Sequence, residues 1–211
     1  MAKVVAGSAA AFFYLVCANT SMQLLSFFAI SLLLFFNAGP YPAPVSTVKQ
    51  FDTSPETFQQ SGFPTAWFGK WKGEMVWYQG KQKRQTVPMQ LLINKTDSID
   101  QYSWHLVYGE GSKDTRPYTI KPFDKKKGHW LVDEHNSIVL DLFEIGPRLT
   151  GSFTVEGNTI FNTYSLEGDS LVVEFYNIQE KAIAVTGAAD STIPKVRSYG
   201  VRSYQRAVLR R

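Results

Sequence analysis

Apolar and polar residues alternate with a period of two along Trp67–Tyr78, WFGKWKGEMVWY. Gly69, Trp71, Gly73, Met75 and Trp77 fall on one side, and Phe68, Lys70, Lys72, Glu74, Val76 and Tyr78 on the other. Side chains alternate faces along a strand, so this stretch predicts a strand whose inner face is apolar and carries two indoles. The two inner glycines leave room where a sheet bends or another backbone comes close.

The same period recurs to the end of the chain, with no sustained helical periodicity. Gln85–Asn94 places Val87, Met89, Leu91 and Ile93 on one face, and Tyr102–Tyr108 places Tyr102, Trp104, Leu106 and Tyr108 together. Arg116–Phe123 turns Tyr118 and Ile120 inward, and Pro117 and Pro122 predict that this strand is short or irregular. His129–Asp133 turns Trp130 and Val132 inward, and Ser137–Phe143 shows Ile138, Leu140 and Leu142. Three regular strands follow at Arg148–Glu156, Thr159–Leu166 and Leu171–Ile178, joined at Glu156-Gly157-Asn158 and Glu167-Gly168-Asp169 by turns of hairpin length and chemistry. A looser segment, Glu180–Lys195, precedes a last strand at Ser198–Leu209. Many short strands with short connections and no crossover helix predict an all-β fold. The expected architecture is a single antiparallel up-and-down β-barrel of eight to ten strands, because closure removes the open edges.

Composition divides the chain. Residues 1–45 contain one charge, Lys3, and the runs Val4–Val16 and Leu24–Phe36 are almost wholly apolar. Each run has the length of a signal-peptide core and falls short of the roughly 20 residues that span a bilayer as a helix. The expected division is 1–45 as signal peptide or membrane anchor, 46–65 as linker and 66–211 as barrel. A cleaved signal, with Met22 as a candidate true start, is preferred over an uncleaved anchor. Thr53-Ser54-Pro55-Glu56 can open a short helix in the linker. The chain is thus expected to work outside the cytoplasm, secreted or periplasmic, with the membrane touched only through the N-terminal segment.

The only cysteine, Cys17, lies in that segment, so the barrel is expected to stand without a disulfide. Acidic and basic residues are interspersed after residue 45, and the overall formal charge is +4. No basic stripe points to nucleic acid. Lys81–Arg84 and Lys125–Lys127 read as solubilising hairpin loops.

Candidate chemistry is sparse. His129, Asp133 and His135 share a parity opposite to Trp130 and Val132, which makes them an outer face rather than a zinc site; no metal is expected. Asp133-Glu134, Asp141 and Glu144 are carboxylates without a nucleophile, and no phosphate loop or nucleophile elbow occurs. The stronger signal is the inward set: Trp77, Met89, Tyr102, Trp104, Tyr108, Tyr118, Trp130, Phe153, Asn162, Tyr164, Phe175 and Gln205, with Tyr199 and Ser203 on the same side. These are bulky rings with several hydroxyl and indole N–H groups, plus a few polar groups. Any one of them can be plain core filling, but taken together they have the character of a small-molecule pocket.

Gly69-Lys70-Trp71 after a short lead-in resembles the Gly-x-Trp signature of lipocalins and their calycin relatives. The resemblance implies a lipocalin-like barrel in which a late Arg or Lys packs over that Trp and shuts one end; Arg206, or else Arg202, is the matching position. Trp67-x-Gly69-x-Trp71-x-Gly73 and Tyr164–Leu171 are similar to haem-binding barrels of nitrobindin type. Those carry a late histidine ligand, whereas no histidine follows His135 here, so the fold is carried over and no cofactor is expected. The expected function is binding of a small apolar or aromatic ligand in the lumen, without chemistry. The alternative is a closed structural barrel that docks another envelope protein. An enzyme using the lumen is a third reading.

Overall fold

The computed structural model describes residues 62–112, 114–187 and 192–211. The apolar segment 1–45, Cys17 and the helix expected near Thr53 lie outside the described residues.

Ten strands follow one another: β1 Gly69–Gln79, β2 Gln82–Ile93, β3 Tyr102–Tyr108, β4 Asp114–Asp124, β5 His129–Asp133, β6 Val139–Ile145, β7 Arg148–Val155, β8 Asn158–Glu167, β9 Ser170–Thr186 and β10 Val196–Arg210. Each pairs antiparallel with its sequence neighbours and β1 pairs with β10, so the sheet closes as an up-and-down barrel. Alternation is the cause. In β1, Trp71 and Met75 are buried while Lys70, Lys72 and Glu74 are exposed, and in β2 Met89, Leu91 and Ile93 are fully buried. Between Val155 and Asn158, Glu156 and Gly157 both have positive φ (48° and 74°), the two-residue turn whose twist suits a hairpin.

One end of the barrel is sealed. The lead-in from Gly62 folds across it through a 3-10 turn, Thr65–Trp67. Phe63 meets Trp67 and Trp130 edge-on, with centroids 5.0 and 4.7 Å apart, and lies 6.2 Å from Trp104. The Trp71 indole N–H donates to the Trp67 carbonyl (2.8 Å), and Trp130 Nε1 donates to Glu144 Oε1 (2.7 Å), so both buried indoles are satisfied. Arg211 stacks its guanidinium 4.4 Å over the Trp71 ring and donates to the Ala66 carbonyl.

The expectation for Arg206 is corrected by register. Arg206 pairs with Val76, on the opposite parity from the buried Gln205 and Ala207, so it faces out and lies 3.8 Å from Glu174. Lys72 pairs with Arg210, so the position that reaches Trp71 is the next one, Arg211. A late arginine does pack over the tryptophan, but it is a different residue.

Three further expectations change. Trp67 lies in the 3-10 turn, so β1 starts at Gly69. The prolines do not shorten β4, which has 11 residues: Pro117 is exposed opposite His105, and the irregularity is confined to Pro122–Asp124. The first part of Glu180–Lys195, residues 180–186, is strand rather than loop: β9 runs to Thr186 and pairs with β10 from Val196 onward. This ribbon continues past the barrel, which leaves Tyr199 45% exposed rather than in the lumen.

Candidate functional site

The half of the lumen away from the seal is lined differently. Strands β3, β4 and β8 bring Trp104, Tyr108, Arg116, Tyr118, Asn162 and Tyr164 to the wall, and β5 adds Val132, with Glu134 just past its end. Leu106, Leu140, Leu142, Phe153, Phe175 and Gln205 complete it. Between them is a cavity of about 40 Å³ open to the centre of a water-sized sphere; by that measure one water needs roughly 10–15 Å³. The space suits a few waters or one small ligand.

Trp104, Tyr164 and Phe175 form an edge-to-face run along the wall, with centroids 4.9 and 6.1 Å apart. Arg116, 5% exposed, holds Asp114 through two bonds, Nε to Oδ1 at 3.0 Å and Nη2 to Oδ2 at 2.7 Å, and lies 5.1 Å over the Tyr108 ring. Its charge is therefore compensated where it sits. Glu134, 7% exposed, accepts from Asn136 Nδ2 at 3.2 Å in the turn after β5. Among the described residues no cation pairs with it.

Two polar groups on this wall are not fully satisfied among the described residues. The Tyr118 hydroxyl makes no hydrogen bond of ordinary geometry, although the Arg116 guanidinium lies near it, and the Asn162 amide donates to the Tyr164 hydroxyl (3.4 Å) with its oxygen unused. Both residues are at least nine-tenths buried. Asn158, Asn177 and Trp77, on inward parities of the same half, each leave one buried polar atom unpaired. A buried polar group without a partner costs on the order of 1–3 kcal/mol. Several in one half of one barrel set that half apart from the satisfied, sealed end.

Of the residues expected in the lumen, Trp104, Tyr108, Tyr118, Phe153, Asn162, Tyr164, Phe175 and Gln205 line the cavity. Tyr102 and Trp130 belong to the sealed end, 6.2 Å apart. Met89 is fully buried in the core, and Trp77 is half-buried; neither lines the cavity. Ser203 is buried on the inward parity of β10. Arg116 and Glu134 are additions. Each shares the parity of an inward neighbour, Tyr118 and Val132, and that period was the signal for them.

Outside the barrel, His129 stacks on Phe143 and bonds Asp141 at 2.6 Å, on the solvent side as expected. Among the described residues no three His, Cys, Asp or Glu side chains are grouped to hold a metal. A larger outer concavity, about 800 Å³, runs along the β1–β10 seam beside Tyr78, Tyr204 and Arg206. It is open to solvent, and two of its polar side chains turn to the same carboxylate: Tyr204 donates to Glu174, which Arg206 also approaches. None of the unpaired buried atoms lies on it.

Burial pushes the Tyr118 and Tyr164 phenols up to about 12, with Arg116 pulling Tyr118 the other way. Both groups stay neutral in the folded barrel above pH 10, where unfolded tyrosine ionises. Stability from this source is complete below pH 10 and is lost as pH rises toward 12. Urea midpoints measured at successive pH values should fall across that window; a flat profile to pH 12 would contradict the burial of these phenols.

No protein-family model matches the chain, and neither a curated protein nor a solved structure matches it.

Proposed function

We propose that the barrel binds one small molecule in the half of its lumen away from the seal and does not transform it. The observation that carries this reading is a pair of polar atoms on nine-tenths-buried side chains, the Tyr118 hydroxyl and the Asn162 amide oxygen, on the wall of an aromatic-lined cavity with no hydrogen bond of ordinary geometry among the described residues. A ligand with an apolar or aromatic body gains by burial, about 25 cal/mol per Å² of apolar surface, and its polar atoms complete those groups. Against chemistry stands the lining itself: among the described residues it has one carboxylate, Glu134, and no serine, threonine, cysteine or histidine. Kinship with the lipocalins and calycins belongs to the same proposal, and the arginine stacked over Trp71 supports it. So does work outside the cytoplasm, for which the apolar, almost uncharged residues 1–45 speak.

The test is native mass spectrometry of protein purified from its own source, with Leu140→Phe as the comparison. Leu140 lines the cavity and is only partly buried, so a phenyl ring can fill the space at modest strain, about 1–3 kcal/mol at most. One small-molecule adduct is expected on the parent chain, together with at least a tenfold loss of affinity for it in the variant. A bare mass, and equal retention by both chains, would overturn the reading.

One observation favours a second reading, docking through the outer wall. Tyr78, Tyr204, Tyr176 and Phe161 form a single cross-strand row over β1, β10, β9 and β8, and Ile183 and Val201 on the ribbon are 65% and 63% exposed. A barrel that keeps its biological role after Leu140→Phe would move the weight to this face.

A further inference from the structure

We propose that the cavity selects a small organic cation, an ammonium group carried on a compact apolar or aromatic body. This rests on the reading of the lumen as a binding site and adds the charge of what it takes. Two ionisable side chains of opposite sign reach the cavity, and they are not equivalent. Arg116 is held by Asp114 through two hydrogen bonds, so its charge is compensated before any ligand arrives. Glu134 has only the neutral Asn136 amide and, among the described residues, no cation. The wall therefore carries one uncompensated carboxylate, 7% exposed, in an otherwise apolar and aromatic setting.

A carboxylate so placed is costly until a cation or strong donor joins it. The rest of the lining suits that partner. Trp104, Tyr118, Phe153, Tyr164 and Phe175 surround the space with rings whose negative faces attract an ammonium group. The Tyr118 hydroxyl, which makes no hydrogen bond of ordinary geometry, can accept one from an N–H, and so can the Asn162 amide when its oxygen faces the cavity. An anionic ligand would meet Glu134 at close range, with the guanidinium on the wall, Arg116, already engaged. A neutral ligand would leave the carboxylate as it is.

Three probes of nearly equal size separate these cases: benzylamine, protonated at pH 7, benzyl alcohol and benzoate. Binding of each to the full-length protein is followed by tryptophan fluorescence, since Trp104 is on the wall, and checked by calorimetry. Benzylammonium is expected to bind at least about tenfold more tightly than benzyl alcohol, the scale of one charge-assisted hydrogen bond, with benzoate weakest. In Glu134→Gln, whose shape is preserved, the gap between amine and alcohol should shrink to about twofold. Equal binding of amine and alcohol, tighter binding of benzoate, or a gap that survives Glu134→Gln would overturn the cation assignment and leave the binding reading standing. Failure of all three probes, together with a bare native mass, would overturn both. Should Glu134→Gln fail to fold, the order of the three probes on the parent protein decides alone.

Discussion

Trp71→Ala should destabilise the barrel by about 4–5 kcal/mol, the upper end of the range for a fully buried aromatic side chain. Three losses fall together at this position. The indole is 1% exposed, so its removal opens a cavity in a closed wall that cannot collapse far. Its N–H bond to the Trp67 carbonyl goes, which leaves that oxygen without this donor beneath the lead-in. The face on which Arg211 rests also goes, a cation–π contact of about 0.5–2 kcal/mol. Urea unfolding followed by circular dichroism measures the sum, and Arg211→Ala divides it. That variant should cost only about 1 kcal/mol, because the guanidinium lies on the rim while the indole is core. A Trp71→Ala barrel within 1 kcal/mol of the parent would mean that the seal contributes little.

Gly73→Ala should be comparably damaging although it adds a single methyl group. Gly73 sits on the inward parity of β1 opposite Leu209. A Cβ there would fall 2.3 Å from the Val208 carbonyl oxygen and 3.2 Å from the Leu209 Cα. Both are backbone atoms, so no rotamer change relieves the contact, and β1 and β10 must move apart where they close the sheet. Overpacking of this kind costs about 1–3 kcal/mol or more, and here the upper part of that range is expected. Gly151→Ala is the informative contrast. Its added Cβ would meet the Leu142 Cδ2 at 2.3 Å and the Asn162 Oδ1 at 2.7 Å, both ends of side chains that can turn, while the nearest backbone atom, the Asp141 carbonyl oxygen, is 3.1 Å away. It should cost less in stability and more in ligand affinity, since Asn162 and Leu142 line the cavity. Thermal melts and ligand titrations on the two variants check the pair. The opposite order would remove the close approach of β1 and β10 from the account of closure.

The strands are legible in the chain because burial on one face only writes a period of two. Trp71 and Met75 against Lys70, Lys72 and Glu74 is such a case, and so is Tyr118 and Ile120 against Pro117 and Lys121. Closure follows from the short connectors and the absence of a crossover. The ribbon beyond the barrel is illegible for a physical reason. Outside the barrel both faces of β9 meet water, so Ala182, Ile183, Ala184 and Val185 carry no contrast. Arg116 and Glu134 obey the alternation, but charge argues for solvent, and only the Asp114 pairing explains how the arginine comes to be buried. Phe63 lies in a lead-in with no period, so nothing in the sequence marks it as part of the plug. Arg211 shares the inward parity of Ala207 and Leu209, yet choosing it over Arg206 needs the β1–β10 register, which is a long-range fact.

The bond from Arg211 to the Ala66 carbonyl has a practical consequence. It brings the first and last described segments together at one pole, so chain connectivity there can be exchanged. Joining residue 211 to residue 62 through a short glycine-rich linker, and cutting at the exposed Gly157 turn, yields a circular permutant with the same ten neighbours around the wall. Its new termini sit at the opposite pole, at the end of the barrel nearer the cavity, where a fused reporter would sense occupancy without disturbing the plug.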